Sequence, residues 1–133
     1  MTDIFTTLSG VWMGRYDYGE GLFPVSFEAI LQEEAGALSG EITEPNTFRS
    51  DMGSDLIARL AGTRHGHDVS FRKTYAGFDQ GDDPVYEGVL NGALTRIDGV
   101  WRFADHPEWS GAFMMVRAVR AKAGERAAME VAL

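Results

Sequence analysis

The sequence contains no cysteine, which removes disulfides, zinc–thiolate sites, Fe–S clusters and thiol nucleophiles together. Proline is scarce, four residues against sixteen glycines, and the glycines stand singly between short apolar runs. That distribution suits many tight turns rather than long helices. No apolar run approaches the roughly 18 residues of a membrane-spanning helix, and no basic, apolar leader pattern opens the chain. A soluble, cytoplasmic protein is the expectation. Positive charge is also sparse: 12 Lys and Arg face 20 Asp and Glu, giving a formal charge of −8. Neither a nucleic-acid backbone nor an anionic membrane is expected as a partner of such a surface. Gly-x-Ser-x-Gly, Gly-rich phosphate loops and dinucleotide fingerprints are missing as well.

What is present is enough for one folded domain. With 133 residues, 44% of them hydrophobic and 11% aromatic, the chain can bury about two thirds of its unfolded surface. Period-2 alternation recurs about every dozen residues and predicts eight strands, near 10–18, 24–33, 37–44, 55–63, 68–75, 84–90, 94–103 and 110–119. Val25, Phe27, Ala29 and Leu31 share one face of the second strand. Val69, Phe71, Lys73 and Tyr75 share one face of the fifth, and Phe113, Met115 and Arg117 one face of the eighth. No crossover helix separates any two strands, so neighbours are antiparallel. The fold class is therefore all-β, an eight-stranded up-and-down barrel spanning about 9–119 within a single domain, 1–133. Residues 1–8 are expected to form a short helical turn that plugs one end. The Ala-rich tail, about 120–133, reads equally as a short amphipathic helix or a frayed end.

Connections alternate in length. Glu33-Glu34-Ala35-Gly36, Arg64-His65-Gly66-His67 and Asn91-Gly92 are tight, the last being the strongest short hairpin signal. The intervening ones, roughly 19–23, 45–54, 76–83 and 104–109, are longer. Alternate turns of an up-and-down barrel lie at the same end, so one end is closed and the other carries the loops, where binding residues usually sit.

Gly10-Val11-Trp12 in the first strand, together with Arg117 in the last, resembles the signature of the calycin superfamily, in particular small bacterial lipocalin-like and avidin-like proteins. The likeness covers about residues 9–118. It implies that Arg117 lies across the Trp12 indole at the closed end, a cation–π contact over a desolvated ring, and that Arg117→Ala costs on the order of 2 kcal/mol. The Gly-x-Trp-x-Gly-x-Tyr opening also resembles nitrobindin-like haem barrels. No histidine follows His106, however, so neither haem nor any other cofactor is expected.

Several side chains are candidates for chemistry. His65 and His67 form an i, i+2 pair able to chelate a metal, but they fall in a closed-end turn and read better as a solvated turn. No metal is expected there. His106 lies in a mouth loop, where it is the one histidine placed to act as a base or ligand. Ile42 puts Glu44 on an inward face and Phe71 does the same for Lys73, so the two are expected to converge in the upper cavity. A buried charge must be paired or shift its pKa, and a Glu44–Lys73 pair would serve as a ligand anchor or as a purely structural link. Ten carboxylates crowd the open end (Asp17, Glu20, Glu44, Asp51, Asp55, Asp79, Asp82, Asp83, Asp105 and Glu108), with Arg49 the only cation in those loops. Such a rim favours neutral or cationic ligands over anions. Asp79-Gln80-Gly81-Asp82-Asp83 lacks the full calcium-loop spacing and reads as ordinary loop solvation.

The cavity lining is expected from Tyr16, Tyr18, Phe27, Phe71, Tyr75, Tyr86 and Trp101, with Glu44 and Lys73 as its polar part. The leading functional expectation is binding of a small, mostly apolar, neutral or cationic molecule without chemistry. A small isomerase, hydratase or hydrolase using Glu44 or His106 is the alternative. A fully packed barrel serving as an interaction module is the third. Two-fold assemblies are the commonest soluble oligomers, so a homodimer through a barrel side is kept in view.

Overall fold

The computed structural model describes residues 5–18, 23–47, 49–79 and 81–118. Eight strands follow in order: β1 (Gly10–Tyr16), β2 (Val25–Glu34), β3 (Ala37–Pro45), β4 (Asp55–His65), β5 (Asp68–Tyr75), β6 (Pro84–Leu90), β7 (Arg96–Phe103) and β8 (Ser110–Arg117). Each is antiparallel to the next, and β8 returns to β1, closing the sheet into an up-and-down barrel. At the seam Trp12 lies opposite Arg117 and Tyr16 opposite Phe113.

The alternation drives this closure. In β2, Val25, Phe27, Ala29 and Leu31 are buried while Ser26, Glu28, Ile30 and Gln32 are exposed. A one-residue slip would carry Glu28 and Gln32 into the core, so register is strongly specified. The same pattern in β5 buries Val69, Phe71, Lys73 and Tyr75. One continuous apolar cluster fills the lower barrel, with Ala29, Ile42, Ala58, Phe71, Phe113 and Met115 among its members.

The narrow end is sealed by short connections and by residues 5–9. Ala35 and Gly36 both have positive φ, 52° and 83°, the type I′ geometry whose twist matches a hairpin. The connection at Asn91-Gly92 is not a tight two-residue turn; it runs over 91–95, and β7 starts at Arg96 rather than at 94. Asn91 Oδ1 accepts from the backbone N–H of Thr95 (2.8 Å) and of Arg96 (3.0 Å). Leu94 takes a φ of 58° and is only 6% exposed. Burial of Leu94 has outweighed the local Asn-Gly preference.

Residues 5–8 form no helical turn; an irregular segment bent at Thr6 and Thr7 does the sealing instead, and residues 1–4 lie outside the described residues. Leu8 is fully buried, its N–H donates to Glu33 Oε1 (2.9 Å), and its carbonyl accepts from the Trp12 indole N–H (2.9 Å). The Arg117 guanidinium lies between the rings of Phe5 (3.9 Å) and Trp12 (4.8 Å). It donates to the carbonyls of Leu94 (3.0 Å), Ser9 (3.0 Å) and Thr7 (2.5 Å). The expected Trp12–Arg117 contact is therefore present, within a larger cluster. The tail expected over 120–133 falls outside the described residues. Among the described residues no helix is long and apolar enough to cross a membrane.

Candidate functional site

The long connections all leave the other end: 17–24, 46–54, 76–83 and 104–109. A cavity of 760 Å³ opens between them and descends into the barrel. That volume falls in the range that holds a drug-sized molecule.

Its floor is built around two inward charges. Glu44 is the penultimate residue of β3, and Lys73 lies two residues before the end of β5. Each follows an apolar residue on the same strand face, so the pleat turns both inward; each is 1% exposed. Lys73 Nζ donates to Glu44 Oε1. Glu44 Oε2 accepts from the hydroxyls of Tyr16 (2.6 Å) and Tyr75 (3.1 Å). Lys73 Nζ also sits over the Tyr16 and Tyr75 rings, 4.6 Å from each centroid. Three donors thus share the two carboxylate oxygens, and two aromatic faces cover the ammonium. A buried ion pair survives only with such compensation. Loss of solvent pulls the Lys73 ammonium below its usual pKa, against the upward pull of Glu44. The same burial, reinforced by the Glu44 charge, raises the Tyr16 and Tyr75 phenols far above 10.0. The site is therefore a buried Lys73–Glu44 pair braced by two phenols that keep their protons at neutral pH.

Aromatic rings continue upward from this floor. Tyr86 stacks flat on Phe71 (5.0 Å, 6°), and Trp101 meets both Tyr16 and Tyr18 edge-on, at 6.1 and 5.6 Å. The Trp101 indole N–H donates to the carbonyl of Asp17 (2.8 Å). Glycine is required at position 111 for that approach, because a Cβ there would lie 1.9 Å from the Asp17 oxygen and 2.7 Å from the indole nitrogen. Asp17 also accepts from the Ala112 N–H (3.1 Å); the regular strand stops at Tyr16, and Tyr18 stands at the mouth, 39% exposed.

Of the residues expected to line the cavity, Tyr16, Tyr18, Lys73, Tyr75, Tyr86 and Trp101 do so. Glu44 lies just behind them, reached through Lys73 and the two phenols. Phe27 and Phe71 are not on the wall; they belong to the packed cluster beneath it. The pleat tells which face a side chain takes, but its depth depends on how far the strands stagger. Val25 of the alternating β2 and Pro84 of β6 also line the cavity, while Phe23, Pro24, Thr47 and Trp109 come from connections without alternation. Phe103 was legible, since it is in phase with Trp101.

The rim is cross-tied. Asn46 organises 46–54, its amide donating to the carbonyls of Arg49 (2.5 Å) and Gly53 (2.8 Å). Arg49 pairs with Asp51 (2.6 Å) and covers the Phe78 ring (4.3 Å), which in turn stacks on Tyr75. Many of the rim carboxylates have local duties. Asp79 accepts from Gly81 N–H, Asp83 from the Thr74 hydroxyl, and Asp82 from the Asp105 N–H. Glu20 is outside the described residues. His106 stacks on Trp109 (4.4 Å), with Nδ1 3.3 Å from Glu108; it is not on the cavity wall. His65 and His67 lie exposed at the closed end. No group of three or more metal-ligating side chains occurs among the described residues.

No model of a known protein family matches the chain, and no curated protein matches it either.

Proposed function

We propose that this barrel binds one small, mostly apolar molecule, neutral or cationic, taken in through the mouth and held without chemical change. The observation that carries this reading is the 760 Å³ cavity with an aromatic wall, ending on the Glu44–Lys73 pair. Apolar walls with a few fixed polar groups are the usual architecture of small-molecule sites. Between the two ligand types, an uncharged one is favoured. Lys73 sets a cation at the inner end, and several rim carboxylates are engaged by local hydrogen bonds, which weakens their pull on a cation. An anion would have to pass the acidic rim and stop beside Glu44. We also read the barrel as calycin-like, supported by the Arg117 guanidinium lying over Trp12 at the sealed end.

Nile red, an uncharged dye, tests the reading. Saturable 1:1 binding is expected, with energy transfer from tryptophan, as is displacement by other uncharged aromatics. Native mass spectrometry compared with the denatured mass reports any ligand that co-purifies. Absence of saturable binding by every uncharged probe, with no extra mass, defeats it.

A further inference from the structure

The Tyr86 hydroxyl is a buried wall group without a hydrogen-bond partner among the described residues. Tyr86 itself is 2% exposed. Its ring is fixed by the flat stack on Phe71 and by an edge contact with Phe113 at 5.0 Å. The neighbouring phenols differ, since Tyr16 and Tyr75 both donate to Glu44. Lys73 adds to the surplus. Only one of its three N–H groups meets an oxygen among the described residues, that of Glu44.

These spare groups are donors. The acceptor capacity of the floor, the Glu44 carboxylate, is already shared by three donors. Buried donors are rarely left unmatched in folded proteins, and an unmatched donor in an aromatic wall selects for whatever can match it. We propose that Tyr86, with Lys73 behind it, forms a recognition subsite for a hydrogen-bond acceptor. The ligand is then an uncharged, flat, apolar molecule bearing a carbonyl-type oxygen at its inner end. This deepens the cavity-binding reading and rests on it.

The oxygen would accept from Tyr86 while the apolar body lies along Trp101 toward the mouth. A ligand ammonium would bring a second set of donors to a floor that already has too many. A carboxylate would sit against Glu44. The neutral acceptor alone meets both constraints.

Four naphthalenes of one shape separate the possibilities: 2-acetylnaphthalene, 2-ethylnaphthalene, 1-(2-naphthyl)ethylammonium and 2-naphthoate, each titrated by displacement of Nile red. The ketone is expected to bind about tenfold more tightly than the hydrocarbon, the scale of one buried hydrogen bond, and more tightly than either ion. Tyr86→Phe keeps the ring and removes the hydroxyl. It should weaken the ketone about five- to tenfold and leave the hydrocarbon unchanged. The carbonyl stretch of the bound ketone should move to lower wavenumber in the native protein and move part of the way back in Tyr86→Phe. If ketone and hydrocarbon bind equally, or naphthoate binds best, the acceptor subsite is overturned while cavity binding stands. If none of the four displaces the dye and the dye itself does not bind, the cavity reading fails and takes the subsite with it. The native-protein comparison among the four probes decides the matter even if the variant does not fold.

Discussion

Arg117 joins parts of the chain that are far apart in sequence. One guanidinium ties Thr7 and Ser9, before β1, to Leu94, before β7, and two rings hold it in plane. Three carbonyls lose a charged donor in Arg117→Ala, so the loss should exceed that of the ring contact alone, about 3 kcal/mol by denaturant unfolding. Arg117→Lys keeps the charge without the fork and should lose roughly half as much. At the other end, Lys73→Met removes the cation that pairs with the buried Glu44 carboxyl and should cost about 3–5 kcal/mol. The double replacement Glu44→Leu with Lys73→Met should cost less than Lys73→Met alone, because no buried carboxyl is then left without its partner. A double loss equal to the sum of the singles would show that the pair is not coupled. Both charges were legible from sequence, each lying two residues along from an apolar inward neighbour. The bonds from Tyr16 and Tyr75 to Glu44 were not, since periodicity carries no information on which hydroxyl reaches across a barrel.

The hairpin connections show where local sequence decides and where it yields. Ala35 adopts a left-handed φ of 52° in an exposed turn, and Leu94 adopts 58° while nearly buried. A left-handed conformation costs a non-glycine residue about 1–2 kcal/mol, part of which glycine returns through its larger unfolded-state entropy. Ala35→Gly should therefore stabilise the protein by about 0.5 kcal/mol. Leu94→Gly relieves the same strain but surrenders a buried side chain, so a net loss of about 2 kcal/mol is expected. Opposite signs for two similar substitutions, read in one chemical denaturation series, are the check. This contrast also explains the Asn91-Gly92 connection. The dipeptide signals a two-residue turn, yet the chain extends the loop to 91–95 so that Leu94 can be buried and its carbonyl can reach Arg117. That requirement arises more than twenty residues away, out of view of any local window. Strand positions, by contrast, followed from local alternation because each strand has one dry face.

At the scale of the whole barrel, three of the four tyrosines share one buried level. Burial holds the phenols of Tyr16, Tyr75 and Tyr86 far above 10.0. Below pH 10 both folded and unfolded chains keep these protons, and no pH dependence arises from them. Above it the unfolded chain releases three protons that the fold retains, so stability should fall by about 4 kcal/mol per pH unit. Lys73, with its pKa lowered in the fold, acts in the opposite sense up to about 10.5, one proton against three. Alkaline titration at 295 nm should show these phenolates appearing together with unfolding. A smooth, non-cooperative rise before any loss of ellipticity would contradict the burial. The position of the mouth was legible at this scale, because loop lengths alternate regularly along the chain. The loop residues that form its lip were not, since no period fixes where they point.

Both directions of the polypeptide leave the barrel from its sealed base. Trp12 faces Arg117 there, and the Ala118 N–H donates to the Val11 carbonyl (2.8 Å). Anything joined before Phe5 or after Ala118 starts at the foot of the vessel, roughly 20 Å from its lip for strands of this length. Phe5 and Ala118 thus sit on the face opposite the opening, so the route into the cavity passes neither.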